Sequence, residues 1–158
     1  MVTPPERIVT LLPSATEIVC GLGLGEKLVG VTHECDYPPG VEQLPHVTRS
    51  TIDHSAPSHV IDAAVRLHLE TTSALYTLNE PLLKTLAPDL LVTQALCDVC
   101  AVSEADVLGV ISRLPGPPGL VNLEPMTLSE VFDTITMLGT STGNEDRARQ
   151  YRNGLQSR

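Results

Sequence analysis

The chain has no tryptophan, a single phenylalanine (Phe132) and three tyrosines, an aromatic content of 3%. So sparse a set excludes a site built on successive stacking platforms, such as a groove for single-stranded nucleic acid. Positive charge is also scarce: ten Lys and Arg against nineteen Asp and Glu leave a formal net charge of −9. A chain of that sign repels phosphate backbones and anionic membranes and lacks the basic footprint of a nucleic-acid binder. No apolar run approaches the ~20 residues that cross a bilayer, so direct membrane insertion is not expected. The start, MVTPPERIVTLLPSATE, has neither the charged opening nor the long apolar core of a secretory leader, so a complete chain of this sequence is expected in the cytoplasm. Four cysteines (Cys20, Cys35, Cys97, Cys100) are too few to staple 158 residues as a disulfide scaffold.

What the chain has in quantity is aliphatic. Hydrophobic residues make up 42%, enough for one domain with a packed core. The organising stretch is Pro88–Glu104, PDLLVTQALCDVCAVSE. Its uninterrupted run Leu90, Leu91, Val92 suits a strand buried on both faces of a helix-covered parallel sheet. In such sheets ligands sit beyond the carboxyl ends of the strands, which is where Thr93–Cys100 projects.

The flanking sequence repeats that grammar. Arg7–Leu12 reads as a buried strand, and Pro13-Ser14 turns the chain into a helix over Ala15–Leu22, with Ser14 and Glu17 spaced as a capping box. Gly23 ends that helix and Lys27–Val31 is a second strand, completing a βαβ pattern. Thr32–Ser58 is proline-rich and aperiodic and reads as a long loop, a feature that is usually functional inside a compact domain. A helix from about His59 to Leu69 and a helical turn Glu80–Leu86 precede the central strand Asp89–Thr93. Ser103 caps a helix over Glu104–Leu114, and PGPPG is a turn cluster. Leu120–Leu123 is a further strand. Thr127 opens a helix with Leu128, Val131, Ile135 and Leu138 on one face, ended by Gly139 and Gly143. Asn144 caps a polar segment Glu145–Leu155 with little to bury. The expected fold is α/β: a Rossmann-like parallel sheet of about four to five strands with helices on both faces.

No enzyme is expected. Serine–histidine–acid sets and HExxH are missing, and GLGLGEK follows a helix, so it fails the strand-to-helix context of a dinucleotide or phosphate loop.

Three segments, RIVTLLPSATEIVCGLGLGEKLVGVTHECDYP, LKTLAPDLLVTQALCDVCAVSEADV and LVNLEPMTLSEVFDTITMLGTSTG, resemble the amino-terminal lobe of the helical-backbone class of ABC-transporter substrate-binding proteins. The cobalamin-binding branch of the family that also carries iron–siderophore binders is the nearest in wording. The resemblance implies a single lobe of a two-lobe binding protein, residues 1–143 forming the amino-terminal lobe and 144–158 the start of the interlobe backbone helix, with the carboxyl-terminal lobe absent. It further implies a periplasmic or cell-surface setting, cobalamin or a related metal chelate as ligand with no cofactor required, and an ABC-transporter membrane subunit as partner. In the family an exposed glutamate on each lobe docks onto that subunit, and Glu104 is the matching position here.

Candidate ligand-binding residues are Pro13, Ser14, Ala15 and Thr16 after the first strand, His33, Glu34, Cys35, Asp36 and Tyr37 after the second, and Gln94, Cys97, Asp98 and Cys100 after the central one. If both later strands are parallel to the first, all of these loops emerge on one edge. The same loops carry a second reading. His33, Cys35, Cys97 and Cys100 are the donor types of a closed zinc or iron–sulfur site, and a small cytoplasmic metal- or redox-binding protein would use Cys35, Cys97 and Cys100. A thioredoxin-type pair opens a helix, whereas Val102-Ser103 separates Cys100 from the next one. Cysteines that simply pack as small apolar groups are the plain alternative. Arg49 is the basic residue near these loops, which disfavours a highly anionic siderophore and favours a corrinoid.

Overall fold

Strand alternation explains the central sheet. In a computed structural model that describes residues 3–53, 55–71, 75–94 and 102–158, the chain runs β1 (Ile8–Thr10), α1 (Pro13–Gly21), β2 (Leu28–Gly30), β3 (Thr48–Ser50), α2 (Ser58–Thr71) and β4 (Tyr76–Leu78). It continues through α3 (Glu80–Leu86), β5 (Leu90–Thr93), α4 (Glu104–Ile111), β6 (Gly119–Asn122), α5 (Leu128–Thr142) and α6 (Glu145–Gln156). The strands β2-β1-β5-β6 form a four-stranded, all-parallel sheet. Successive side chains of a strand face opposite ways. Ile8, Leu90 and Val92 therefore join Ala15, Val19, Ile135 and Leu138 on the α1/α5 face. Val9 and Leu91 join Leu83, Val107, Val110 and Leu114 on the α3/α4 face. Both faces are covered, which is why the strands read as continuous apolar runs and not as an alternation.

The polar ends of the sheet are tied down as well. The Asp89 carboxylate accepts from the Glu6 and Arg7 amides at 2.8 and 2.9 Å, pinning the chain start under the amino ends of the strands. Between α3 and α4, Glu80 meets Lys84 and Arg113, each at 2.8 Å. These two cations hold the Glu80 carboxyl down at about 2, the Arg113 hydrogen bond being the larger cause.

Several local expectations are corrected. The capping box at Ser14 and Glu17 does not form: Leu12 is the N-cap, without a side-chain hydrogen bond, and Pro13 opens α1. Proline suits that first helical position because its fixed φ is helical and its missing N–H has no partner to lose, so Ser14 already lies inside the helix. The reciprocal box stands instead at α5, where Thr127 Oγ1 accepts from the Glu130 amide and Glu130 accepts from the Thr127 amide. Gly139 does not end α5. The helix passes through it to Thr142 and stops at Gly143, whose φ of 68° is left-handed. Gly139 is small for another reason: a Cβ there would collide with Ala148 of α6.

That contact, and the Tyr151 ring lying over Gly21, also correct the expectation that α6 has little to bury. Ala148 is buried, and Tyr151 and Leu155 pack on the α1/α5 core. Asn144 occupies the N-cap of α6, but its side chain turns back to donate to the Thr142 carbonyl. Finally, Thr32–Ser58 is not one loop. The Val31 amide donates to the Pro45 carbonyl and the Val47 amide to the Val31 carbonyl, and β3 pairs with β4 in a separate antiparallel ribbon, Arg49 opposite Thr77.

Candidate ligand cleft

Parallel order puts the ends of β1, β2 and β5 side by side, and the residues that follow them meet. Leu11, Leu12, Pro13 and Ser14 after β1, Thr32 and Glu34 after β2, and Gln94 after β5 line one depression of about 270 Å³. Thr48 of the ribbon, Tyr76 of β4 and Val102 complete its wall. The rim thus offers hydroxyl, carboxylate and amide groups at its centre on an apolar floor, the composition usual for a small-molecule site.

The positions behind the rim are fixed by a chain of hydroxyls. Thr10 and Thr16 share a hydrogen bond of 2.6 Å between their Oγ1 atoms, and Thr16 Oγ1 lies 3.0 Å from Cys35 Sγ. Ala15, Thr16 and Cys35 are buried, so of the PSAT turn only Pro13 and Ser14 reach the depression. Burial is the main reason the Cys35 thiol is pushed up, against the lowering effect of the Thr16 hydrogen bond; Cys20, packed nearby, is raised by burial and then by Cys35. Cys35 packs in a buried cluster with Val31 and Val41.

His33 is held twice over. Its Nδ1 lies 2.7 Å from Thr48 Oγ1, its Nε2 lies 3.2 Å from a Glu34 carboxylate oxygen, and its ring sits 5.4 Å from that of Tyr76, tilted by 45°. Thr48 Oγ1 also contacts Thr32 Oγ1 at 2.8 Å. His33 lines not this depression but a wider neighbouring one of about 520 Å³. Size alone favours the wider one; the smaller one lies across three parallel strand ends, where the fold concentrates its loops, and on that ground it is the better candidate.

Asp36 and Tyr37 are exposed, Tyr37 at 58%, and line neither depression. Cys97, Asp98 and Cys100 lie outside the described residues, and so does any site that depends on them. Among the described residues no three His, Cys, Asp or Glu side chains cluster as metal ligands, so zinc or iron–sulfur binding has no support there. Glu104 is exposed in the first turn of α4, which Ser103 caps by accepting from the Asp106 amide.

Leu11, Leu12, Thr32, Thr48, Tyr76 and Val102 line the depression but fall outside the sequence candidates. Leu11, Leu12 and Thr32 directly flank the candidates after β1 and β2, whereas Thr48, Tyr76 and Val102 reach the rim only through the ribbon and the turn into α4. Past the carboxyl end of the edge strand β6, Met126 and Leu128 are 77% and 72% exposed. They form an apolar shoulder, although the helical spacing of Leu128 puts it in line with the buried Ile135 and Leu138.

This arrangement defines the class: an α/β lobe with its cleft at the carboxyl ends of a parallel sheet. No family model matches the chain. It is 28% identical over 153 residues to the uncharacterized ABC transporter substrate-binding lipoprotein YvrC of Bacillus subtilis, covering 97% of this chain and 39% of that protein. Over 44 residues it is 52% identical to the vitamin B12-binding protein of Vibrio cholerae, 28% of this chain and 16% of that one. Among solved structures, the periplasmic vitamin B12 binding protein BtuF of Vibrio cholerae superposes with a TM-score of 0.66 at 26% identity, over 98% of this chain and 48% of that one. A possible iron-binding periplasmic solute-binding protein of Staphylococcus epidermidis shares the fold, with a TM-score of 0.70 at 23% identity, over 98% of this chain and 49% of that one. The likenesses are thus to ABC-transporter substrate-binding and vitamin B12-binding proteins, and the fold superposes on about half of each solved structure. The chain spans less than half the length of each of these proteins.

Proposed function

We propose that this lobe captures a corrinoid such as cobalamin, or a related metal chelate, for uptake by an ABC transporter, by non-covalent binding and not by catalysis. The observation that carries the reading is the meeting of Ser14, Glu34, Gln94 and Tyr76 around one depression at the strand ends. Two likenesses give it a ligand class: the B12-binding relative is 52% identical over its matched segment, and the B12-binding structure superposes over nearly the whole chain. On this reading residues 1–143 are the amino-terminal lobe and 144–158 begin the helix that joins it to a second lobe. The second lobe would close over the ligand, the exposed Glu104 would meet the transporter's membrane subunit, and the working compartment is the periplasm or cell surface, as for the relatives. No helix among the described residues is long and apolar enough to cross a membrane.

A single lobe encloses only one side of a ligand, so its affinity is expected to fall in the range of roughly micromolar or weaker. Equilibrium dialysis of the chain against cyanocobalamin, hemin and a ferric siderophore tests this. Saturable retention of cyanocobalamin, diminished by Tyr76→Ala, supports the assignment. Retention of one of the iron chelates alone moves the ligand class, and retention of none removes the reading.

A further inference from the structure

The wider depression differs in its chemistry. It is lined by His33, His46, Thr48, Arg49, Thr77, Leu78, Asn79 and Pro81. In a chain with nearly twice as many acidic as basic residues, this lining holds two imidazoles and a guanidinium and not one carboxylate.

Six of the other nine cations are engaged by carboxylates, Lys27 by Glu6, Arg66 by Asp62, Lys84 and Arg113 by Glu80, Arg149 by Asp146 and Arg152 by Asp133, whereas Arg7, Arg147 and Arg158 have no ion pair among the described residues. Arg49 forms no ion pair among the described residues, although it is exposed and free to reach one. The carboxylates beside the lining are drawn off: Glu34 meets His33 Nε2 and lines the smaller depression, and Glu80 is paired with Lys84 and Arg113.

The remaining polar groups suit a negative guest. Asn79 Oδ1 accepts from the Leu82 amide to cap α3, which turns the NH2 end of the same amide away from that helix. Thr77 stands directly across the ribbon from Arg49. Thr48 Oγ1 is fixed by Thr32 and His33, so the wall beneath Arg49 is held in place before any ligand arrives. A guanidinium presents paired donors that match an oxyanion. The protein's overall negative charge acts weakly beyond about 8–10 Å at ordinary ionic strength, so the local set decides binding.

We propose that the groove bounded by His46, Arg49, Thr77 and Asn79 is a binding site for a single phosphate-sized oxyanion, separate from the cleft at the strand ends. It admits one anionic group and not a polyanion, in keeping with one guanidinium in the lining.

The test uses the whole chain at low ionic strength in a zwitterionic buffer. Inorganic phosphate, dimethyl phosphate and acetate are titrated in parallel by calorimetry. Saturable phosphate binding is expected, weakened about tenfold or more in Arg49→Gln, the loss that follows when one charge-assisted hydrogen-bond pair is removed. His46→Gln is expected to weaken it as well. Arg66→Gln removes the same charge from α2 and is expected to bind like the wild type. Binding of phosphate alone marks free phosphate as the guest, and binding of dimethyl phosphate too marks a phosphate group carried on a larger molecule. Absence of saturable phosphate binding overturns the proposal, as does binding that survives both groove variants or falls equally in Arg66→Gln. So does tighter binding of acetate than of phosphate.

Discussion

The parallel sheet and the β3–β4 ribbon share one chain and obey different rules. In the sheet, Ile8, Val9, Leu91 and Val92 are wholly buried between two helical layers, and hydrogen bonding runs strand to strand across all four members. In the ribbon, Arg49 and Thr77 are exposed, Tyr76 and Leu78 are half-buried, and each strand is three residues long. The sheet therefore carries stability and sets where loops emerge. The ribbon contributes little burial yet supplies Tyr76 to one depression, Arg49 and Thr77 to the other, and Thr48 to the wall they share. Chemistry collects on the less buried element, positioned by the more buried one.

Truncation breaks that comparison most sharply. Leu91→Ala removes a fully buried side chain from the centre of the sheet, and a loss of about 2–5 kcal/mol in unfolding free energy by urea titration is expected. Thr77→Ala on the exposed ribbon face is expected to shift stability by less than about 0.5 kcal/mol. Equal losses at the two positions would erase the distinction between the regions.

A smaller effect sharpens it at their junction, where Glu80 follows the ribbon and binds Arg113 at the end of α4. Its carboxyl is lowered from 4.5 to about 2, so the ion pair stabilises the fold above the ordinary carboxylate range and that contribution fades as pH falls from about 4.5 to about 2. Glu80 is solvated, so the effect is modest. Urea midpoints of wild type and Glu80→Gln are expected to differ at pH 6 and to converge toward pH 2; a constant offset would show that the carboxylate's charge is not what matters.

How much of the molecule is legible in its sequence follows the same divide. The buried strands announce themselves because apolar runs of Ile, Leu and Val have one stable setting, and with their order come the rim positions Ser14, Glu34 and Gln94. The family likeness is legible too, since its wording lies in those segments. The ribbon is not. Strands as short as Thr48–Ser50 and Tyr76–Leu78, half exposed and lying on either side of α2, leave no periodic trace. Helix ends fail on detail: Ser14 and Glu17 have box spacing, but Pro13 takes the first helical position ahead of them. Gly139 looks like a terminator in sequence, and only the packing of α6 shows it as a point of close approach.

The central claim is that the carboxyl rim of the sheet is the ligand cleft, and amide chemical-shift mapping of the labelled chain during titration with cyanocobalamin tests it most directly. The account predicts shifts confined to Leu11–Ser14, Thr32–Glu34, Tyr76, Gln94 and Val102, with the opposite rim at Arg7, Lys27, Asp89 and Gly119 unmoved. Shifts centred on that opposite rim, with the first set silent, would contradict it.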